Sequence, residues 1–412
     1  YSRCLTPRAE KRRQLGVRCG SALDGAAHQA MVKQRQEQTT AFDTSEARAV
    51  ASLLARADIR ICGDRPWDIQ IHDGRTFGRV LSRGSLGLGE SYMEGWWDCG
   101  ALDEFFHRVL SGEIHRGLWN WPLLLGFIKA CLFNRQRRSR AFVIGERHYD
   151  IGNELYKAML DRRLVYSCGY WRCASTLDEA QEHKLEMICR KIGLQPGMRL
   201  LDIGCGWGSF VKYAAEKYRI EAVGTTVSKE QFALAKELCD GLPIELCLSD
   251  YRDLNGRFDR IVSLGMIEHV GYRNYQGYMK IVHRCLADHG LFLLQTIGTL
   301  RSTTSTDPWI EKYIFPNSML PSIKQLAKAT EGLFVTEDIH NFGADYDKTL
   351  MAWWRNFNEH WADFEKDYGE RFCRMWKYYL LSCAGSFRAR WNQLWQIVYS
   401  KQGVPGGYAA VR

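Results

Sequence analysis

The run LLDIGCGWGSF, Leu200 to Phe210, decides the fold. Four apolar or acidic strand residues lead into Gly204-Cys205-Gly206-Trp207-Gly208, and a helix-like stretch follows. Backbone this bare lies against a ligand or forms a tight strand-to-helix turn. A dinucleotide loop would read G-x-G-x-x-G, with its third glycine one place later, and a phosphate loop would carry Gly-Lys-Ser/Thr. Neither is present. Asp202 stands just ahead of the glycines, where a carboxylate repels a pyrophosphate and suits a cationic ligand. S-adenosylmethionine has the required chemistry, an ammonium and a sulfonium. A turn with no ligand is the alternative.

The sequence around this run has an α/β rhythm. Apolar strand candidates fall at 198–203, 220–225, 244–248, 258–264 and 291–297, with helical stretches between them. Thr176 and Glu179 form a capping box for a helix that Gly193 stops, and Ser228 with Gln231 reads as a second box. Alternating strands and helices predict a doubly wound, mostly parallel sheet of Rossmann-like type. Ligands of such sheets bind beyond the carboxyl ends of the strands. That edge gathers Thr226, Val227 and Gln231 after the second strand. Ser249, Asp250 and Tyr251, placed to bond and stack an adenine, follow the third, and Glu268 and His269 follow the fourth.

Further out, four segments are expected. Residues 1–40 form a basic extension with eight Lys/Arg against three Asp/Glu, read as disordered. Residues 41–122 form a small α+β domain, with a helix over SEARAVASLLARADI and a strand at DIQIHD (68–73). Residues 123–145 are a linker ending in NRQRRSR (134–140), and 146–412 are the catalytic domain. Trp353, Trp354, Trp361, Trp376, Trp391 and Trp395 fall in what read as C-terminal helices. The net charge of +9 sits largely in the first 40 residues, too little elsewhere to require nucleic acid. No run reaches the ~18 apolar residues of a membrane span. None of the 14 cysteines forms a C-x-x-C pair, which points to reduced thiols in a cytoplasmic protein and to no metal.

Nine blocks in order then show a resemblance: GSLGLGESYMEGWW (84–97), HYDIGNELY (148–156), VYSCGYW (165–171), LDIGCGWG (201–208), YRDL (251–254), GMIEHVG (265–271), DPWIEKYIFPN (307–317), NFGADYDKTLMAW (341–353) and SCAGSFRAR (382–390). From about residue 45 onward the chain resembles the bacterial cyclopropane fatty acid synthases, relatives of the mycolic acid methyltransferases. The resemblance implies a class I S-adenosylmethionine methyltransferase domain. It implies methylene transfer to a cis double bond in a phospholipid acyl chain, with bound bicarbonate as base. The implied bicarbonate shell is Cys168, Glu268, Ile297 through its backbone, and Tyr346, with Cys383 a further catalytic candidate. Gln295 in LLQTIG replaces the family's histidine, so a methyl-branched product stays open as an alternative, as does an inactive binding protein. Tyr166 and Ser167 would close over the methionine part of the cofactor, beside Asp202, Gly204, Cys205, Gly206, Gly208, Thr226, Val227, Gln231, Asp250 and Tyr251. Tyr149 would belong to the pocket wall. The resemblance further implies a homodimer attached peripherally to a phospholipid bilayer through the N-terminal domain and basic stretch. The aromatic C-terminal helices would line an acyl channel.

Overall fold

A computed structural model describes residues 44–112 and 152–412. The basic extension, the linker with NRQRRSR, and Tyr149 lie outside the described residues. In chain order the elements are α1 (Ser45–Ala55), β1 (Gln70–Ile71), α2 (Arg75–Met93), β2 (Trp97–Asp98), α3 (Leu102–Ser111), α4 (Asn153–Met159), α5 (Leu177–Lys191), β3 (Arg199–Ile203), α6 (Ser209–Tyr218), β4 (Glu221–Thr226), α7 (Lys229–Leu238), β5 (Ile244–Leu248), β6 (Phe258–Leu264), α8 (Tyr275–Cys285), β7 (Leu286–Thr299), α9 (Pro308–Tyr313), α10 (Ile323–Thr330), β8 (Val335–Asn341), α11 (Ala344–Glu359), α12 (Trp361–Arg388) and β9 (Asn392–Ser400).

The fold is α/β. Its sheet has seven strands in the order β5-β4-β3-β6-β7-β9-β8. The five strands read from sequence pair in parallel, and β9 joins antiparallel between β7 and β8. The chain turns back between β3 and β6, so the crevice where this kind of sheet binds ligands opens at the carboxyl end of β3, where the glycine loop begins. Thr176 and Glu179 make the reciprocal capping box that starts α5. The second expected box is half formed. Ser228 Oγ accepts from the Gln231 amide, but the Gln231 side chain accepts from Thr226 Oγ1 at 3.1 Å instead of closing back on its cap. A full box that was not anticipated, Ser322 with Gln325, starts α10.

The C-terminal tryptophans divide. Trp353, Trp354, Trp361 and Trp376 are helical, but Trp395 lies within β9 and Trp391 in the turn before it. The strand carries no period-two signal because Leu394 to Ser400 are all buried. Trp395 covers Gly298 of β7 so closely that no side chain fits at that glycine.

The N-terminal segment is welded to the C-terminal helices. Tyr378 of α12 meets Tyr92, Phe106 and Trp309 at ring separations of 5.5, 5.1 and 4.5 Å. Arg374 donates to the carbonyls of Tyr92 and Trp97, and Arg388 joins Asp103 of α3 to Asp347 of α11. Helices α3 and α12 cross at Gly385, where an added Cβ would lie 2.5 Å from the Asp103 carbonyl oxygen and 2.8 Å from the His107 amide. Those neighbours are backbone and cannot step aside. Gly385→Val should therefore lower the melting temperature by several degrees, an overpacking cost of about 1–3 kcal/mol. Gly277→Ala, on an open face of α8, should leave it unchanged or raise it slightly. Differential scanning calorimetry of the two variants checks this.

Candidate active site

Glycine allows the loop after β3 to turn as it does. Gly204, Gly206 and Gly208 have φ of +86°, +58° and +80°, a region in which side-chain-bearing residues are strained. The amides of Gly204 and Cys205 both donate to the Thr225 carbonyl, tying the loop to β4. Trp207 Nε1 donates to Asn153 Oδ1 at 3.0 Å, tying it to α4.

A cavity opens on this loop. Of the residues expected to hold a cofactor, Tyr166, Ser167, Asp202, Gly204, Cys205, Gly206, Thr226, Val227, Gln231, Asp250 and Tyr251 all line it. Gly208 does not. A Cβ there would strike Cys239 Sγ at 2.9 Å, so this glycine serves the packing of α6 and α7. Asp250 caps the short helical turn Tyr251–Asp253, and its carboxylate is engaged by Arg252 at 2.9 Å.

Asp202 is 1% exposed, and its Oδ1 has no partner among the described residues. Burial lifts its carboxyl to about 7, against the pull of Lys184. A buried, under-bonded carboxylate beside a loop that admits close approach fits a cationic ligand. Lys184 was not anticipated. It is wholly buried on α5, lines the cavity, donates to Ser167 Oγ at 3.0 Å and is held down to about 8 by burial. Its position on the same side of α5 as Gln181, Leu185 and Ile188 was a legible signal, since a lysine on a buried helix face needs a polar partner inside.

A second, more apolar cavity adjoins the first. Glu268, Gln295, Ile297, Tyr346 and Cys383 line it, together with Phe106, Phe315, Phe387 and Trp391. The two cavities share Tyr166, Ser167, Gly265 and His269. Tyr166 is fixed there by a 2.9 Å bond between its hydroxyl and that of Tyr379. His269 was noted beside Glu268 in the sequence but not counted as a site residue. Burial lowers it to about 4, so it is neutral near pH 7.

Glu268 Oε1 accepts from the Ile297 amide at 2.8 Å, whereas Oε2 is buried without a hydrogen-bond partner among the described residues. Burial raises its carboxyl to about 7. The Ile297 N–H, expected to face an anion, is thus already given to Glu268. Gln295 is 1% exposed, and its Oε1 accepts from Gln396 Nε2 across the β7–β9 ladder at 2.9 Å, leaving its NH2 as the group it can offer. Tyr346 packs against Phe387 at 4.5 Å. Cys168 lines neither cavity. It is wholly buried, gives its S–H to the Gly169 carbonyl, and sits 3.9 Å from Thr349 Oγ1. Burial pushes its thiol well above the usual range, and that of Cys383 up to about 12, which makes both poor nucleophiles.

Residues 136–397 match the family model described as mycolic acid cyclopropane synthetase. The chain is 51% identical, over 91% of its length and 98% of the relative's, to a cyclopropane-fatty-acyl-phospholipid synthase of Escherichia coli. It is 30% identical to a tuberculostearic acid methyltransferase of Mycobacterium tuberculosis, covering 81% of this chain and 83% of that one. Among solved structures, a mycolic acid cyclopropane synthase complexed with SAH and CTAB superposes with a TM-score of 0.59 at 32% identity, over 63% of this chain and 98% of the other. The fold is that of the class I S-adenosylmethionine methyltransferases.

The raised carboxyl of Asp202 sets a pH dependence. Its protonated form is favoured by folding, so this contribution to stability is complete below about pH 4 and is lost as pH rises through about 7. Asp202→Asn should therefore raise the melting temperature more at pH 8 than at pH 5. Binding of a cation favours the ionised carboxyl. The same variant should weaken S-adenosylmethionine binding at least about ten-fold at pH 8 and less at pH 5, read by titration calorimetry.

Proposed function

The chain belongs to the mycolic acid cyclopropane synthetase family, and on that premise we propose that it carries a one-carbon unit from S-adenosylmethionine to the cis double bond of an unsaturated phospholipid acyl chain, leaving a cyclopropane and S-adenosylhomocysteine. One observation carries the reading. A cavity built on a glycine loop and lined by Asp202, Asp250 and Lys184 shares a wall at Tyr166, Ser167, Gly265 and His269 with a second, more apolar cavity. A methyl donor in the first and an alkene in the second would meet there.

S-adenosylmethionine supplies an electrophilic methyl when bound. Asp202 would face its cationic end, with Tyr166 and Ser167 against the methionine portion and Gln231, Asp250 and Tyr251 toward the nucleoside. An alkene is a weak nucleophile, so rate depends on holding it close and in line, which is what the shared wall does. Transfer of the donor's methyl carbon to one alkene carbon would leave the other electron-poor, and loss of a proton from the new methyl to the base would let the C–H electrons close the ring. Phe106, Phe315 and Phe387 keep water from the electron-poor carbon.

Bicarbonate is the base in this proposal. Glu268, protonated near neutral pH, can donate from Oε2, and Gln295 can donate from its NH2, so both suit an anion. Tyr346 completes the shell. Cys168 and the Ile297 amide are left out of it, since neither offers a group to the cavity. Lys184 positions Ser167. Homodimer formation and peripheral attachment to a bilayer belong to the same proposal. No described helix is long and apolar enough to cross a membrane.

The alternative product is a methyl-branched chain. It is favoured by Gln295, which cannot relay a proton, and by the likeness to a tuberculostearic acid methyltransferase. Incubation with trideuteromethyl S-adenosylmethionine, bicarbonate and monounsaturated phospholipid vesicles decides between them. A cyclopropane retains two of the three deuterons and converts the alkene protons to upfield ring methine protons by NMR, whereas a branched chain retains the whole trideuteromethyl group. Turnover should fall about ten-fold or more in carbonate-free buffer. It should also decline above about pH 7 as Glu268 ionises, and Glu268→Gln should give a low, flat profile.

A further inference from the structure

Three segments meet at the carboxyl end of β7. Thr299 donates to the Pro321 carbonyl, Ser302 and Ser322 share a 2.7 Å hydroxyl bond, and Gln325 Nε2 donates to the Thr303 carbonyl. Thr299 is also registered with Asn392, which sets Leu300 beside Trp391 just past the ladder. This junction gathers three of the six large apolar side chains that are most exposed among the described residues. They are Leu300 at 70%, Trp391 at 40% and Ile323 at 38%. Leu300 is the most exposed of the six.

The patch is also cationic. Arg301, Lys324, Lys328 and Arg390 stand within a few positions of these side chains along the chain, and no acid occurs in 300–306 or 321–330. Among the described residues Arg301, Lys324 and Lys328 form no ion pair. It is continuous with the apolar cavity, because Thr299, Thr303, Leu320, Trp391 and Asn392 belong to that cavity's lining. Exposed apolar side chains grouped with cations that form no ion pair fit an anionic bilayer, which would take up both.

We propose that the surface formed by Leu300, Ile323 and Trp391, ringed by Arg301, Lys324 and Arg390, docks on an anionic phospholipid bilayer and sets the mouth of the acyl cavity against it. This rests on the lipid-modifying reading given above. It assigns the docking to the catalytic unit itself, not to the N-terminal segment. An acyl chain would then slide from bilayer to cavity without crossing water.

Two variants that leave the cavity lining intact test it: Leu300→Ser with Ile323→Ser, and Arg301→Glu with Lys324→Glu. Sedimentation with phosphatidylglycerol vesicles should show about ten-fold weaker binding for each. The charge variant should lose the preference over phosphatidylcholine vesicles, and added salt should weaken wild-type binding. Both variants should turn over detergent-dispersed phospholipid at the wild-type rate and vesicle substrate at about a tenth of it. Unchanged vesicle binding by both variants overturns the proposal, as does an equal loss of turnover on both substrates. A smaller mass by light scattering with vesicle binding intact would make the patch an interface between copies and overturn it too. If the variants lose vesicle binding but wild type incorporates no carbon, the docking surface stands and the lipid-modifying reading falls.

Discussion

Tyr166 and Ser167 form the partition between the glycine-loop cavity and the more apolar one, and the surrounding structure fixes that partition from both sides. Lys184 reaches Ser167 from α5, Tyr379 reaches the Tyr166 hydroxyl from α12, and Trp353 and Tyr156 pack on the Tyr166 ring at 5.1 and 5.2 Å. Each helix has its own anchors: α5 packs with α6 in an apolar cluster shared with the sheet, and α12 is bound to the N-terminal segment by Arg374 and Arg388. The long aromatic interface between residues 92–106 and α12 is thus more than a domain contact. It positions the back of the apolar cavity.

Electrostatics follow from the same closure. Two carboxyls, Asp202 and Glu268, are buried with one oxygen each left unpartnered, on opposite sides of the partition. Burial holds both near neutrality in their titration, so each can take either protonation state at modest cost. In the proposed reaction they use opposite states. Asp202 faces a cation and is ionised by it, and Glu268 donates to an anion and keeps its proton. The thiols of Cys168 and Cys383, by contrast, are pushed out of reach of ionisation, which suits a site that generates a carbocation and must offer it no nucleophile.

Much of the catalytic half was legible because parallel strands buried on both faces read as unbroken apolar runs, and because a strand's carboxyl end tells where its side chains gather. That logic pointed to the edge where Asp202, Thr226, Gln231 and Tyr251 line the glycine-loop cavity. It missed the outer two strands for opposite reasons. β8 reads VTEDIHN, too polar for a strand because it is a sheet edge, and β9 is so fully buried from Leu394 onward that no alternation survives. Cys168 stood in a block that matched the family, but which way a side chain faces is not written in a motif, and it faces away from both cavities. Lys184 was not singled out in the sequence. Its inward turn depends on Ser167, 17 positions earlier, and only the folded chain brings them together.

The central claim is spatial: donor and acceptor meet across one wall. A crystal structure with S-adenosylhomocysteine and a monounsaturated phospholipid bound together tests it most directly. The sulfur should lie in the glycine-loop cavity and the double bond in the more apolar one, facing each other between Tyr166 and Gly265. An acyl chain bound elsewhere, or a sulfur separated from the double bond by protein, would contradict it.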